Sequence, residues 1–201
     1  DGLLVINNGY IQDFGTFEDL YPKYRTLEVR DYQDRLILPG FIDAHIHFPQ
    51  QRVIGAYGET LLEWLQKYIY PEESKYFDLK YAEEGAREFI NTTLASGTTT
   101  FQAFTTTHPH TTTALFEEAQ RRNMRIITGL TGHDINAPDY YKDTPESFYI
   151  DSKKLIEKYH NKKRLLYAIT PRFALGSSRE QLLKCQQLKK EYPDCWLNTH
   201  L

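Results

Sequence analysis

The sequence lacks the features that would support an extracellular, membrane or nucleic-acid-binding role. Only two cysteines, Cys185 and Cys195, occur in 201 residues. Two thiols build no disulfide framework, and their scarcity points to a reducing, cytoplasmic compartment. There is no positive excess: 24 Lys and Arg stand against 27 Asp and Glu, a net charge of −3. The basic residues are scattered, so no nucleic-acid partner is expected. Apolar runs such as Leu36-Ile37-Leu38 are far shorter than the roughly 20 residues a membrane-spanning helix needs. The opening DGLLVINNGY has no basic head and no small-residue cleavage site, so no signal peptide is expected. No Gly-x-Gly-x-x-Gly follows any predicted strand, which argues against a dinucleotide-binding fold. What remains, 40% hydrophobic and 25% charged residues, describes a soluble globular chain. Its length suits one sizeable domain, or a small domain with most of another.

Residues 3–15 read as a hairpin, because two β-rich runs flank Asn7-Asn8-Gly9, and Asn and Gly accept the positive φ of tight turns. A polar connection follows, and Thr26–Tyr32 alternates like a further strand. After residue 40 the rhythm changes. Phe41–His45 reads as a buried strand and 61–68 as a helix. Residues 79–94 form a longer helix stopped by Gly97. The order continues with strand 98–104, helix 112–123 and strand 124–130. A helix capped at Thr144 runs to about His160. Strand 164–170, helix 178–192 and strand 195–200 complete the series. Strands alternating with helices imply parallel pairing through right-handed crossovers, in an open sheet or a (β/α)₈ barrel. Five strands cannot close such a barrel. The chain also ends directly after a strand, so a fragment is expected.

Three places could carry chemistry. His45 and His47 alternate on one strand and share a face; they are either a pair of zinc ligands or two solvated histidines at a strand end. In parallel α/β folds reactive groups gather at the carboxyl ends of strands. His45, His47 and His200 all fall there, and a third imidazole on that face is what a metal site requires. Second, Thr170-Pro171-Arg172-Phe173 leaves its strand at the same end. Arg172 offers a planar fork of donors and Phe173 a stacking face, or they are a surface Arg and a core Phe. Third, His108 and His110 follow the second barrel strand and Asp134 the third, as loop, supporting or structural residues.

The stretch LPGFIDAHIHFPQ, residues 38–50, resembles the signature of the amidohydrolase superfamily, a Pro-Gly lead-in followed by Asp-x-His-x-His on the first barrel strand. Within that superfamily the chain is most similar to the guanine deaminases. The similarity runs in order through LLEWLQKYIYPEE (61–73), SGTTT (96–100), NAPDYYKDT (136–144), TPRFALGSS (170–178) and the closing NTHL. This resemblance implies a metal-dependent-hydrolase (β/α)₈ TIM barrel. Residues 1–37 would be part of a small β-sandwich, and 38–201 the N-terminal part of a truncated barrel.

The resemblance also implies roles. His45, His47 and His200 match the zinc ligands. Gln50 matches a side chain on the purine edge, Arg172 the group that binds the ring carbonyl, and Phe173 a pocket wall. The implied reaction is zinc-dependent hydrolysis of guanine to xanthine and ammonia by a cytoplasmic homodimer, acting on a small-molecule purine. The proton-shuttling Glu is expected just beyond Leu201, so this stretch alone is expected to be inactive and poorly stable. Strand 164–170 carries no lysine at its carboxyl end, which speaks for one zinc per site rather than a lysine-bridged pair. Two other readings stay open: an amidohydrolase deaminating or dehalogenating another purine, pyrimidine or triazine ring, and an inactive scaffold.

Overall fold

The structure, a computed structural model, describes residues 1–200. Strands β1 (Gly2–Asn7) and β2 (Tyr10–Thr16) pair antiparallel, with Asn7 opposite Tyr10. Asn8 and Gly9 both have positive φ, 51° and 80°, as the tight turn anticipated from their side chains requires. Helix α1 (Phe17–Tyr24) occupies the stretch expected to be only a polar connection; Thr16 caps it by accepting from the Asp19 amide. The strand expected over Thr26–Tyr32 does not form, and residues 25–40 carry neither helix nor strand. Alternation specifies a face but not a partner, and a strand without a partner leaves its amides unpaired. Residues 1–39 form one compact unit, and a second begins at Gly40. Within the first unit, one two-stranded sheet and one short helix are the elements described; the second layer of a sandwich is not among them.

The second unit is built on parallel strands β3 (Phe41–His47), β4 (Thr98–Phe104), β5 (Arg125–Gly129), β7 (Leu165–Pro171) and β8 (Trp196–Leu197), paired in that order. The two-residue β6 (Thr131–Gly132) also pairs with β7. The sheet does not close into a barrel among the described residues. β3 therefore lies at an open edge, and the strand expected to be buried has Phe41 and Ile42 exposed. β8 is shorter than the expected 195–200. Its pairing nevertheless continues, because the amides of Asn198 and His200 donate to the Ile169 and Arg172 carbonyls. Gly129 is required at the β5–β7 contact, where a Cβ would lie 1.8 Å from the Ala168 carbonyl oxygen.

Helices cover the crossovers. The amphipathic stretch expected at 61–68 continues to Lys75: α2 (Leu61–Trp64), a π-helical turn (Leu65–Ile69) and α3 (Tyr70–Lys75). In that wide turn the Tyr70 amide reaches back to the Leu65 carbonyl. α4 (Leu79–Ala95) buries Ala82, Ala86, Phe89, Ile90 and Thr93 on one stripe, and Gly97 leaves it at φ 81°. α5 (Pro109–Arg121) starts earlier than the expected 112, with Pro109 in its first turn, where a missing amide costs nothing. α6 (Pro145–Tyr159) begins on a Thr144–Ser147 capping box, and α7 (Arg179–Glu191) on a Ser178 cap. Phe101, Leu115, Phe116, Ile126, Tyr167 and Ile169 belong to one core cluster, all fully buried. Among the described residues, no helix is long and apolar enough to cross a membrane.

Candidate metal and substrate site

Parallel pairing places the carboxyl ends of β3, β4, β7 and β8 on one side of the sheet. His45 and His47 stand at the end of β3 and share a face by strand alternation. His200 is carried to them by the extension of β8 along Arg172. Ligand atoms of the three imidazoles all lie within 4.8 Å of one another. The Nε2 atoms of His47 and His200 are 3.0 Å apart. A tetrahedral zinc with Zn–N near 2.0–2.1 Å holds its nitrogens about 3.3 Å apart. Phe104, at the end of β4, stacks on both His47 and His200.

The surrounding hydrogen bonds define the tautomers. His200 Nδ1 lies 2.8 Å from the Arg172 carbonyl, an acceptor, so Nδ1 carries the hydrogen and Nε2 a lone pair. Gln50 Nε2 lies 3.1 Å from His47 Nδ1. An amide nitrogen can only donate, so the His47 hydrogen sits on Nε2 and is shared with His200. A cation would take the place of that shared proton. His47 Nδ1 would then carry the hydrogen, and its contact with Gln50 would open. The backbone carbonyl behind His200 is the kind of partner that orients a ligating imidazole. Burial first, then Arg172 and the neighbouring imidazoles, pushes His47 down to about 2, and burial also lowers His200. Both are held in the neutral form a metal needs. On donor type and spacing, the three residues fit a zinc ion.

Beside the histidines lies a buried polar network. Glu73 on α3 is fully buried. It accepts from Arg172 Nη1 at 2.7 Å and Nη2 at 3.2 Å, from Gln50 Nε2 at 2.8 Å, and from the Tyr141 hydroxyl. Arg172 Nη1 also donates to the Tyr141 oxygen. Burial opposes the Arg172 charge, and Glu73 with the neighbouring Tyr141 and Tyr70 together outweigh it, so the guanidinium stays charged. Sequence reasoning had singled out Gln50 and Arg172; the structure joins them through Glu73 and Tyr141, which it had not. Phe173 packs instead with the cluster of Leu65, Ile69, Tyr70 and Tyr141, edge-on to His133. His133 was also missed: it is fully buried, neither ring nitrogen has a partner, and burial followed by Arg172 lowers it to about 3.

The other singled-out residues are placed for structure. His110 Nε2 donates to the Tyr76 carbonyl at 2.7 Å, with His108 stacked against it. Asp134 accepts from the Ser178 amide at the start of α7. A second cluster, His160, Asp194 and Cys195, is no metal site. His160 Nδ1 accepts from the Tyr167 amide, so Nε2 carries the hydrogen and has no lone pair to give. A cleft of about 650 Å³ beside Tyr70, lined also by Leu62, Gln66, Pro138 and Leu175, contains neither Arg172 nor any of the three histidines. The chemistry is not centred there.

This fold and site define the class. Residues 36–201 match the Amidohydrolase family, and the chain belongs to it. Along its whole length it is 53% identical to the guanine deaminase of Escherichia coli (strain K12), covering 46% of that relative. It also superposes on the crystal structure of guanine deaminase from Bradyrhizobium japonicum, with TM-score 0.96 and 60% identity, covering 100% of this chain and 43% of that one. A guanine deaminase from C. acetobutylicum with bound guanine in the active site gives TM-score 0.91 at 28% identity, covering 98% of this chain and 47% of that one. The chain thus spans about half the length of the curated relatives it matches.

Proposed function

We propose that this chain carries the metal ligands and the purine-recognition residues of a zinc-dependent guanine deaminase. The observation that supports this most directly is the convergence of three imidazoles next to a buried, charged Arg172. Bound zinc would supply a water acidic enough to ionise near neutral pH. His45, His47 and His200 would hold that ion, with His200 oriented by the Arg172 carbonyl. Arg172 would receive the ring carbonyl of guanine, and Gln50, once released from His47, would meet the purine edge with a donor and an acceptor. Phe173 would wall the pocket through its aromatic cluster. Hydrolysis then exchanges the exocyclic amine for the oxygen of water, so that guanine and water give xanthine and ammonia. The guanine deaminase relatives and the guanine-bound neighbour support the choice of substrate.

Arg172→Lys in the full-length protein tests the reading. Lysine keeps a charge beside Glu73 but has no planar fork. Guanine kcat/KM should fall roughly 10- to 100-fold, the worth of a hydrogen bond to a charged group, while zinc content stays constant. Unchanged guanine kinetics, or wild-type turnover of adenine at the rate of guanine, would refute it.

A further inference from the structure

We propose that Glu73 is a positioning residue: with Tyr141 it determines which hydrogen-bonding atoms of Arg172 and Gln50 remain for the substrate. This rests on the purine-binding reading of Arg172 and Gln50 given above.

The assignment follows from counting donors. A guanidinium has five N–H groups. Nη1 donates to Glu73 Oε2 and the Tyr141 oxygen, and Nη2 uses one hydrogen on Glu73 Oε1. Nε–H and the second Nη2–H are left. They lie on the same edge of the planar group, so together they form a two-pronged donor fit for a carbonyl oxygen. Tyr141 closes the arrangement by donating its hydroxyl hydrogen to Glu73 while accepting from Nη1. Its own backbone is anchored where Thr107 Oγ1 donates to its carbonyl at 2.6 Å.

The same carboxylate orients Gln50. An ionised carboxylate only accepts, so the amide must turn its nitrogen towards Glu73 Oε1, 2.8 Å away, and its oxygen elsewhere. One buried side chain therefore aims both recognition groups, and Gln50 links it onward to His47. The wide π turn immediately before α3 puts Tyr70 and Glu73 on the buried side of this helix. A buried ion pair that merely neutralised Arg172 would need neither the second acceptor on Nη1 nor the amide of Gln50.

The test uses the full-length zinc enzyme and two non-reacting ligands, hypoxanthine, which has the ring carbonyl, and purine, which lacks it. Their inhibition constants against guanine turnover are measured in wild type, Glu73→Gln and Tyr141→Phe. The glutamine puts an amide where Arg172 and Gln50 need an acceptor, and the phenylalanine removes only the hydroxyl. The expected result is a loss of the preference for hypoxanthine over purine, roughly tenfold or more in E73Q and a few-fold in Y141F, with zinc content unchanged. A preference retained in both variants, or inhibition constants for the two ligands that rise in parallel, overturns the inference. If E73Q does not fold, Y141F decides alone: an unchanged preference overturns it. Wild-type enzyme that does not turn over guanine at all would overturn the functional reading instead, so the two failures are distinguishable.

Discussion

Asp143 should make this protein lose stability as the pH rises, and a single substitution should abolish that loss. Its Oδ1 accepts from the His133 amide at 3.1 Å and from Gln181 Nε2 at 2.9 Å. Its Oδ2 is buried with no partner. Burial pushes the carboxyl up from 3.8 to about 7. Between those values the folded state holds a proton that the unfolded state has released, so stability falls as pH rises through the window and levels off above it. At about 1.36 kcal/mol per unit, the full effect is on the order of 4 kcal/mol, about 3 of it between pH 5 and pH 8. Asp143→Asn reproduces the shape and hydrogen-bonding pattern of the neutral acid and does not titrate. Urea unfolding of both proteins at pH 5 and pH 8 isolates the term, because every other titrating group cancels in the difference. The variant should gain about 3 kcal/mol relative to wild type on going from pH 5 to pH 8. Equal pH slopes for the two proteins would refute the reasoning.

His133 should do the opposite on the acid side. Its folded value near 3 lies below the ordinary 6.5, so its contribution is complete above 6.5 and is lost as pH falls towards 3. His133→Met should reduce the pH dependence of stability between 6.5 and 4 by about 1.4 kcal/mol per pH unit. An unchanged slope in the same urea assay would contradict the buried neutral imidazole. At the proposed zinc site, His200→Ala leaves two imidazoles where a catalytic zinc takes about three protein ligands. The variant should lose its zinc on dialysis against a chelator that wild type withstands. Metal analysis of the wild type should find one zinc per chain, and two equivalents would sink the single-ion reading.

Local rules carried the sequence reading a long way. The Asn8-Gly9 turn, the Thr144 and Ser178 caps and the Gly97 stop follow from backbone preferences that neighbouring residues satisfy on their own. His45 and His47 share a face for the same local reason, since a strand repeats every two residues. Where local pattern had no tertiary partner it misled. Thr26–Tyr32 alternates but pairs with nothing among the described residues, and Phe41–Ile42 is apolar but lies at an open sheet edge.

Other features depend on contacts far apart in the chain. His200 reaches His47, 153 residues away, only because the parallel register along β7 sets it beside the Arg172 carbonyl. Glu73 meets Arg172 across 99 residues, and nothing in PEE distinguishes the buried carboxylate from a solvated one. The sequence by itself determined which residue types are present and which face of a strand or helix they occupy, because periodicity and capping are local. Only the tertiary structure decided which of them share a buried carboxylate and which nitrogens are left free, because hydrogen bonds are allocated by distance in space.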